Sequence, residues 1–362
     1  MESSRQMFWL SANAQFPVVH VLQQSSQELH LDLRFWTGEL CGGGRGSRDA
    51  HWHPHLPARL FCCPYLRSLR VGHCRLTPPE AVVLPSLETL HLTDIDEPCA
   101  PIHHWLISGC PRLADLTLEA CPNLKRVSVL DKRLRRLALL CCHNVVLMAV
   151  DASELTTLCY RGVLPPESLL TLHGSPRVAS FTMDFCGAIP SEEVEFAAFR
   201  KPLGNFADAK HMHLQSSRLG CGVESDLSVG FPAFSNLRHL ELSGCLEDCS
   251  IVAAVTLILG HTPNLEVLSL FLTPGSQDGG MIRGAQQGMP LPCLRQRVRE
   301  INLVHYRGGE AQRMLAKLLL RNALALQELC VVFSKGPFTL QSNLMNEMKG
   351  WVANKSAKMM FL

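Results

Sequence analysis

Residues that could bind a metal ion occur together at one place in the sequence. His51, His53 and His55 alternate in the segment HWHPH, and Cys62 and Cys63 follow it. Zinc needs four ligands of these types within tetrahedral reach. The histidines lie in a glycine-rich stretch, and adjacent cysteines of an extended chain point in opposite directions. We therefore predict a solvated loop at this place and no metal site.

Other reactive side chains occur without the spacing that their chemistry requires. Cys141-Cys142-His143 and the pair Cys245 and Cys249 lack the paired CxxC pattern of zinc fingers and thioredoxin-like proteins. The cluster GGGRG is not followed by the Lys-Ser/Thr of a phosphate-binding loop, and the GxSxG and HExxH motifs are absent. With 16 histidines and 16 cysteines, chance constellations stay open, but nothing in the sequence favours one. We predict a chain that is not an enzyme and that uses no cofactor.

A repeat determines which elements hold these residues. The pattern apolar-x-x-apolar-x-apolar recurs, and its copies begin at Leu66, Leu87, Leu113, Leu134, Leu155, Val178, Ala209, Leu237, Leu265, Val298 and Leu326. A weaker copy lies near Leu29 and Leu31. A period of about 20–29 residues with this core is typical of leucine-rich repeats, and longer intervals indicate inserted loops. Each copy predicts a short strand with one buried face, which must stack on its neighbours in a parallel sheet.

The repeat therefore predicts an α/β solenoid. Its form would be a leucine-rich repeat horseshoe of about eleven or twelve strands, with a short-strand parallel sheet on the concave face and mixed helical and extended segments on the convex face. Residues 1–27 are predicted to be an amino-terminal cap or remnant segment. Residues 28–297 are predicted to form the repeats, with loop insertions near 41–55 and 273–290. Residues 298–362 are predicted to form carboxy-terminal repeats that continue the solenoid.

Two further columns accompany the repeat. A cysteine often stands three residues after the last apolar position, at Cys74, Cys121, Cys142, Cys186 and Cys245. The small, nearly apolar thiol suits a buried turn, so we predict that these cysteines are structural. Proline precedes several strands, in Cys63-Pro64, Cys110-Pro111 and Thr262-Pro263. There it stops the preceding segment and favours an extended approach to the strand.

The segments between strands are predicted to differ in type. Ile102–Ser108, Ile251–Leu259 and Ala311–Asn322 have apolar patterns typical of helices. In the third segment, one helix face is predicted to carry Met314, Leu315, Leu318 and Leu319. The segment LKRVSVL, which begins at Leu124, is predicted to be extended.

Composition excludes several classes of partner. The formal net charge is +2, with 47% hydrophobic and 18% charged residues, so we predict neither nucleic-acid nor membrane binding. No apolar run reaches the roughly 18 residues needed to span a bilayer. The first residues lack the basic and continuous apolar regions of a secretory signal. We therefore expect a cytoplasmic or nuclear location, or both, with reduced cysteines.

The repeats and the closing section resemble a known family. The cysteine-rich repeats, the CPxL entries to strands and the section REINLVHYRGGEAQRMLAKLLLRNALALQELCVVF are similar to plant F-box/leucine-rich-repeat proteins of the FBD type. The terminal NKSAKMMFL is similar to the closing strand of that family. The resemblance covers about Val18 to Leu362, and the section from Arg299 to Phe333 is its more specific part.

The resemblance implies a function in recognising proteins. Family members usually begin with an F-box, which docks on the Skp adaptor of a cullin ubiquitin ligase. The opening LP-x-x-(I/L)-L of that module is absent here, so we expect a fragment, a truncated product or an F-box-less relative that does not bind the adaptor. The resemblance predicts a protein-binding scaffold, similar to the substrate-recognition part of a Skp–cullin–F-box ligase receptor. A ligand-sensing solenoid, or a truncated F-box-less product without ligase activity, stays an alternative.

The predicted partner-binding surface is made of residues between the apolar positions of each strand. These residues point outward, and stacking aligns them in columns on the concave face. Those predicted to contact a protein partner are Arg70, His91, Asp115, Arg136, His211, His213, His239, Glu241, Glu300 and Asn302. A small-molecule sensor would need a strongly basic pocket, whereas these columns mix both signs of charge.

Overall fold

The computed structural model describes a defined part of the chain. The described residues are 7–9, 29–34, 58–72, 81–95, 107–130, 133–163, 169–174, 178–186, 203–216, 232–245, 250–273 and 291–362. The chain forms two compact units, an amino-terminal unit, Met1–Val178, and a carboxy-terminal unit, Ala179–Leu362. The predicted loop insertions near 41–55 and 273–290 lie outside the described residues, except for Thr273. The predicted domain boundaries stay predictions.

The amino-terminal unit is built of short parallel strands. In chain order they are β1 (Met7–Trp9), β2 (Leu29–Arg34), β3 (Leu66–Gly72), β4 (Thr89–Thr93), β5 (Asp115–Glu119), β6 (Arg126–Val129), β7 (Arg136–Leu140), β8 (Leu147–Asp151), β9 (Thr157–Gly162) and β10 (Leu170–His173). The strands β1, β2, β3, β4, β5, β7 and β9 pair in that order, all parallel. These are the repeat strands, apart from β1, which extends the sheet into the segment before the first repeat.

A second, smaller parallel sheet is formed by the return segments of this unit, which are the stretches of chain that connect one repeat strand to the next. The strands β6 and β8 pair from Arg126 and Leu147 onward, and β8 pairs with β10. The inward residues Val127 and Val129 of β6 are buried, while Ser128 between them is exposed. The predicted extended segment beginning at Leu124 is therefore confirmed.

The carboxy-terminal unit continues the same pattern with helices in its return segments. Its strands are β11 (Ser180–Phe185), β12 (His211–Ser216), β13 (His239–Cys245), β14 (Val267–Thr273), β15 (Glu300–Tyr306), β16 (Glu328–Phe333) and β17 (Lys358–Phe361). They pair in chain order, all parallel. The helices are α1 (Ser250–Gly260), α2 (Pro292–Gln296), α3 (Glu310–Asn322) and α4 (Phe338–Trp351). The predicted leucine-rich repeat fold, of the solenoid type, is confirmed.

The core consists of the inward column of leucines. Each of the following residues is at most 2% exposed: Leu69, Leu90, Leu116, Leu137, Leu158, Leu240 and Leu268. A second inward column, two residues further along each strand, is also buried, as at Leu118 and Leu270. Because neighbouring side chains of a strand point to opposite faces, this burial leaves the intervening residues on the outer face. The predicted register of the strands is confirmed.

A hydrogen-bonded turn leads into the repeat strands. The backbone N–H of Leu113 donates to the carbonyl of Cys110 at 3.2 Å, and that of Leu265 donates to Thr262 at 3.3 Å. In both cases proline is the second residue of the turn, where its fixed φ favours the bend. The same bond joins Leu155 to Ala152 at 3.2 Å, without proline. Proline thus favours a turn that the repeat forms in any case.

The helices of the carboxy-terminal unit agree with the prediction in part. The predicted segments Ile251–Leu259 and Ala311–Asn322 correspond to α1 and α3. The predicted face of α3 is buried at Leu315 and Leu319, whereas Met314 and Leu318 are only half-buried. The buried face is completed by Leu320 and by small or polar residues, namely Ala311, Gln312 and Ala316. The sequence did not predict α4. Of the predicted helix Ile102–Ser108, only the last two residues are described, and they are helical.

Candidate protein-interaction face

The strand register aligns the predicted contact residues in columns within each unit. In the amino-terminal unit, Arg70 on β3 is paired with His91 on β4, and Asp115 on β5 with Arg136 on β7. In the carboxy-terminal unit, the column of His211, His239, Val267 and Glu300 is continuous over four strands. The neighbouring column contains His213, Glu241, Ser269 and Asn302. The predicted columns are therefore present. Whether a partner binds them stays a prediction.

In the amino-terminal unit, the outward side chains of β4 and β5 bond to one another. The Nε2 atom of His91 lies 2.9 Å from Oε2 of Glu119, and the hydroxyl of Thr93 donates to the same oxygen at 2.9 Å. Thr93 is 3% exposed. The bonds fix the imidazole of His91 in place, so this part of the face is ordered before any partner arrives. Arg70 and Arg136 are exposed on the neighbouring strands.

In the carboxy-terminal unit, two histidines of the first column stack. The ring centroids of His211 and His239 are 4.4 Å apart, with 14° between the planes. Desolvation lowers the pKa of His211, and the neighbouring His239 lowers it further, while the carboxylate of Glu241 opposes the shift. The buried Nδ1 atom of His239 has no hydrogen-bond partner among the described residues. The pair therefore favours the neutral, stacked form of His211.

His213 is the centre of a second group of outward residues. Its Nε2 atom lies 3.1 Å from the hydroxyl of Ser243, and its Nδ1 atom lies 3.8 Å from Oε2 of Glu241. Its ring is 6.4 Å from that of Phe271, measured between centroids. Because β12 and β14 are separated by β13, this ring contact crosses the outer face over Ser243. Polar and aromatic side chains of three strands thus form one connected surface.

Glu300 and Asn302 form the third group. The side-chain amide of Asn302 donates to Oε1 of Glu300 at 2.8 Å and to the hydroxyl of Ser269 at 3.1 Å. Ser269 is only 8% exposed. The two bonds orient the carboxylate of Glu300 on the face and join β14 to β15 by side chains as well as by backbone.

A third outward column was missed by the sequence prediction. It includes Glu119 in the amino-terminal unit, and Ser243, Phe271 and Val304 in the carboxy-terminal unit. The repeat pattern ends at its last apolar residue, whereas β14 extends three residues beyond Leu270. Continuing the alternation beyond the last apolar residue would have identified this column.

The residues considered for metal chemistry are placed as follows. Cys62 is exposed and Cys63 is buried. The chain is not extended here as the prediction assumed, because Cys62 ends a short 3-10 helix, Ala58–Cys62. His51, His53 and His55 lie outside the described residues, as does the glycine cluster that precedes them. Cys249 is outside them too, so the Cys245/Cys249 pair is not described.

Two of the column cysteines serve the fold by their hydrogen bonds. The sulfur atom of Cys142 lies within hydrogen-bonding distance of the carbonyls of Leu118 and Leu140, at 3.5 Å from each. The thiol of Cys121 donates to the backbone carbonyl of Glu119 at 3.5 Å. Both cysteines are buried. The hydrogen bond with Cys121, together with burial, raises the pKa of Cys142. Cys186 is half-buried, and Cys74 lies outside the described residues.

No helix among the described residues combines the length and the apolar character that a membrane crossing requires. That finding concerns only the part of the chain that the structure describes.

Comparison with known proteins supports the resemblance drawn from the sequence. Residues 39–176 match the family model of the LRR repeats of FBD-associated F-box protein At5g56370. The putative F-box/FBD/LRR-repeat protein At4g00315 of Arabidopsis thaliana is 27% identical over 307 residues, which are 81% of this chain and 68% of that protein. F-box/FBD/LRR-repeat protein At5g56420 of the same plant is 27% identical over 285 residues, 75% of this chain and 62% of that protein. No solved structure matches the chain.

The comparisons confirm that the chain resembles plant F-box/leucine-rich-repeat proteins of the FBD type. A shorter match, 36% identical over 107 residues, links 29% of the chain to 22% of the putative F-box/FBD/LRR-repeat protein At5g25850 of Arabidopsis thaliana. The chain therefore spans about two thirds or less of these relatives. The relatives suggest a leucine-rich repeat scaffold for protein interaction.

Proposed function

We propose that this chain recognises a protein partner through the outward face of its repeat strands, as the substrate-recognition part of a Skp–cullin–F-box ligase receptor. The observation that supports the proposal most directly is the alignment of polar side chains in register on adjacent parallel strands. In the carboxy-terminal unit, one such column contains His213, Glu241, Ser269 and Asn302. Several of these side chains are held by bonds to one another. A face that is ordered before binding loses little conformational entropy when a partner docks.

The proposal is tested by capture from plant extract with matched variants of the full chain. One variant, Glu241→Arg/Val304→Arg, changes the face of the carboxy-terminal unit. Another, Arg70→Glu/Arg136→Glu, changes the face of the amino-terminal unit. The control, Glu154→Arg/Thr171→Arg, changes two exposed residues outside the repeat strands. Thermal unfolding of each purified variant establishes that it is folded.

The expected result is a set of proteins captured by the wild-type chain and the control but lost with at least one face variant. Identical sets from all four proteins would contradict recognition by either face. The receptor role has its own readout, which is the ubiquitylation of a captured partner when the chain is expressed with it, either raised by recruitment or lowered by competition with a complete receptor. A partner whose ubiquitylation does not change contradicts that role and leaves the scaffold function in place.

A further inference from the structure

A stripe of apolar side chains crosses the outward face of the carboxy-terminal unit. Phe271, Val304 and Val332 occupy paired register positions on β14, β15 and β16. Each is half-buried, while the residue before it on the strand is buried in the core. The ring contact between Phe271 and His213 shows that the phenyl group lies on the outer face. We call Phe271, Val304 and Val332 the apolar stripe.

Two carboxylates beside the stripe have no cationic partner from Lys or Arg among the residues that the structure describes. The carboxylate of Glu241 is 49% exposed, and its nearest basic atom is Nδ1 of His213 at 3.8 Å. The carboxylate of Glu300 accepts a hydrogen bond from the neutral amide of Asn302. Glu328 differs, because Lys358 lies 3.3 Å from its carboxylate. The negative charges of Glu241 and Glu300 are therefore open to a cation from outside.

The positions of these carboxylates suit one cation placed between them. Glu241 is on β13 and Glu300 on β15, so the single strand β14 separates them. Parallel strands are about 4.8 Å apart, and Glu300 lies two residues before Asn302, which aligns with Glu241 through Ser269, so the two α-carbons are roughly 12 Å from each other. Carboxylates on side chains of this length reach a guanidinium or ammonium group between them, and charge-assisted hydrogen bonds of this type are strong. Phe271, on β14, lies two residues beyond Ser269, the register partner of Glu241, and an aromatic ring near Glu241 favours a cation as well.

The opposite border of the stripe carries the other sign of charge. Arg307 and Lys335 follow the carboxyl ends of β15 and β16 and are exposed. The Nε atom of Arg307 donates a hydrogen bond to the hydroxyl of Ser334 at 3.3 Å. Its partner in this contact is a hydroxyl and not a carboxylate. A bound cation is consequently directed to the amino-terminal side of the stripe, where Glu241 and Glu300 lie.

We propose that this face binds a partner segment in which a lysine or arginine stands beside aliphatic residues. The cation lies between Glu241 and Glu300, and the aliphatic side chains cover the apolar stripe. Arginine fits better than lysine, because its planar fork can donate to both carboxylates. This inference rests on the proposed function and names the chemical class of the partner.

The experiment selects peptides from a random 12-residue display library on the immobilised full chain. Affinities of the selected peptides are then measured for the wild type, Glu241→Gln, Glu300→Gln and the control Glu154→Gln. Glutamine keeps the shape of each side chain and removes its charge, and all three positions are at least partly exposed. We expect peptides with Arg or Lys next to aliphatic residues, and a roughly tenfold loss of affinity for each of the first two variants. The control should bind as the wild type does.

A second variant, Val304→Thr, separates this inference from the proposed function. Threonine has the shape of valine but places a hydroxyl on the stripe, so it reports docking without regard to charge. The proposed partner class is wrong if the selected peptides lose affinity for Val304→Thr but contain no lysine or arginine. It is also wrong if they bind both glutamine variants as tightly as the wild type. In either case the face is still a binding surface. A selection without any peptide sensitive to these three face variants also overturns the partner class. Only an unchanged capture from plant extract overturns the function itself.

Discussion

The imidazole rings of His211 and His239 stack across the adjacent strands β12 and β13, with 4.4 Å between their centroids. Protonation of either ring would place a cation against the other ring. Lys210 precedes His211 in the chain, and its positive charge makes protonation of His211 less favourable, whereas the Glu241 carboxylate makes it more favourable. The stack therefore couples the protonation of this face to the stability of the fold.

Stability is expected to fall on acidification because of this pair. The pKa of His211 is lowered from its ordinary value of 6.5, first by desolvation and then by His239. The unfolded chain then binds a proton more readily than the folded chain. The stabilisation of the fold by neutral His211 is therefore complete above about pH 6.5 and is lost as the pH falls toward the pKa of His211 in the folded chain. Urea unfolding between pH 8 and pH 5 should show a smaller decrease in the free energy of unfolding for His211→Gln than for the wild type. An equal decrease in the two proteins would contradict the prediction.

Truncation of the inward leucine column should be costly. Leu240→Ala removes a side chain that is 0% exposed and leaves a cavity between rigid strands, so it should lower the free energy of unfolding by roughly 2–5 kcal/mol. Leu324→Ala is the matched control, since that leucine is 55% exposed. Urea unfolding at neutral pH measures both. A loss for Leu240→Ala as small as that for Leu324→Ala would mean that the strand register is incorrect.

The glycine turn between β15 and α3 should not tolerate a side chain. Gly308 has φ of +74°, and a Cβ atom there would overlap the Leu344 side chain of α4. Its N–H also donates to Oε1 of Gln312 at 3.2 Å, which holds the turn in this conformation. We expect Gly308→Ala to lower the free energy of unfolding by about 1–3 kcal/mol.

Gly350 provides the control for that substitution. It lies in α4, and nothing is within 4 Å of a Cβ atom placed on it. Alanine favours helix over glycine, so Gly350→Ala should leave stability unchanged or raise it by up to about 1 kcal/mol. Thermal unfolding of both variants gives the comparison, and equal midpoints would refute the steric argument.

The column cysteines should be reduced, free of metal and slow to react. Cys121 and Cys142 are buried, which keeps both thiols away from a reagent in solution. The hydrogen bond between them raises the pKa of Cys142 and lowers that of Cys121, so little thiolate forms at Cys142, and the protection of Cys121 comes from burial. Labelling of the folded chain with a thiol reagent, followed by peptide mass spectrometry, should show fast modification of the exposed Cys62 and slow modification of Cys121 and Cys142. Rapid labelling of the buried pair, or stoichiometric zinc by elemental analysis, would contradict the structural role.

The fold could be predicted because a single spacing rule applies to every strand. The position of Leu69 in its strand determines that of Leu90, and the position of Leu240 determines that of Leu268, since the strands of each unit must reach the core of that unit. Helix α4 was not predicted. Its buried residues include only Leu344 and Met348, one turn apart, and the remainder of its sequence has no strong apolar face. Packing against its neighbours, which the local sequence does not encode, makes this segment helical.

The outward columns could also be predicted, but not the contacts within them. The alternation of Leu240 and Glu241 shows which residue faces outward. It does not show that His213 contacts Ser243 and Phe271, because these contacts depend on side-chain conformations across three strands. For the same reason, the buried face of α3 was predicted only at Leu315 and Leu319. Ala311 and Ala316 are small and permit close approach, which apolar counting alone does not reveal.

The division of each strand into inward leucines and outward variable residues has a consequence for inheritance. Under the proposed function, selection for folding acts on one set of codons, and selection for recognition acts on the set that alternates with it. Outward codons can change in a duplicated gene while the inward codons are retained. A new specificity can then arise by single substitutions, and each intermediate protein still folds. Overall identities such as the 24–27% found with several plant relatives are therefore compatible with one architecture.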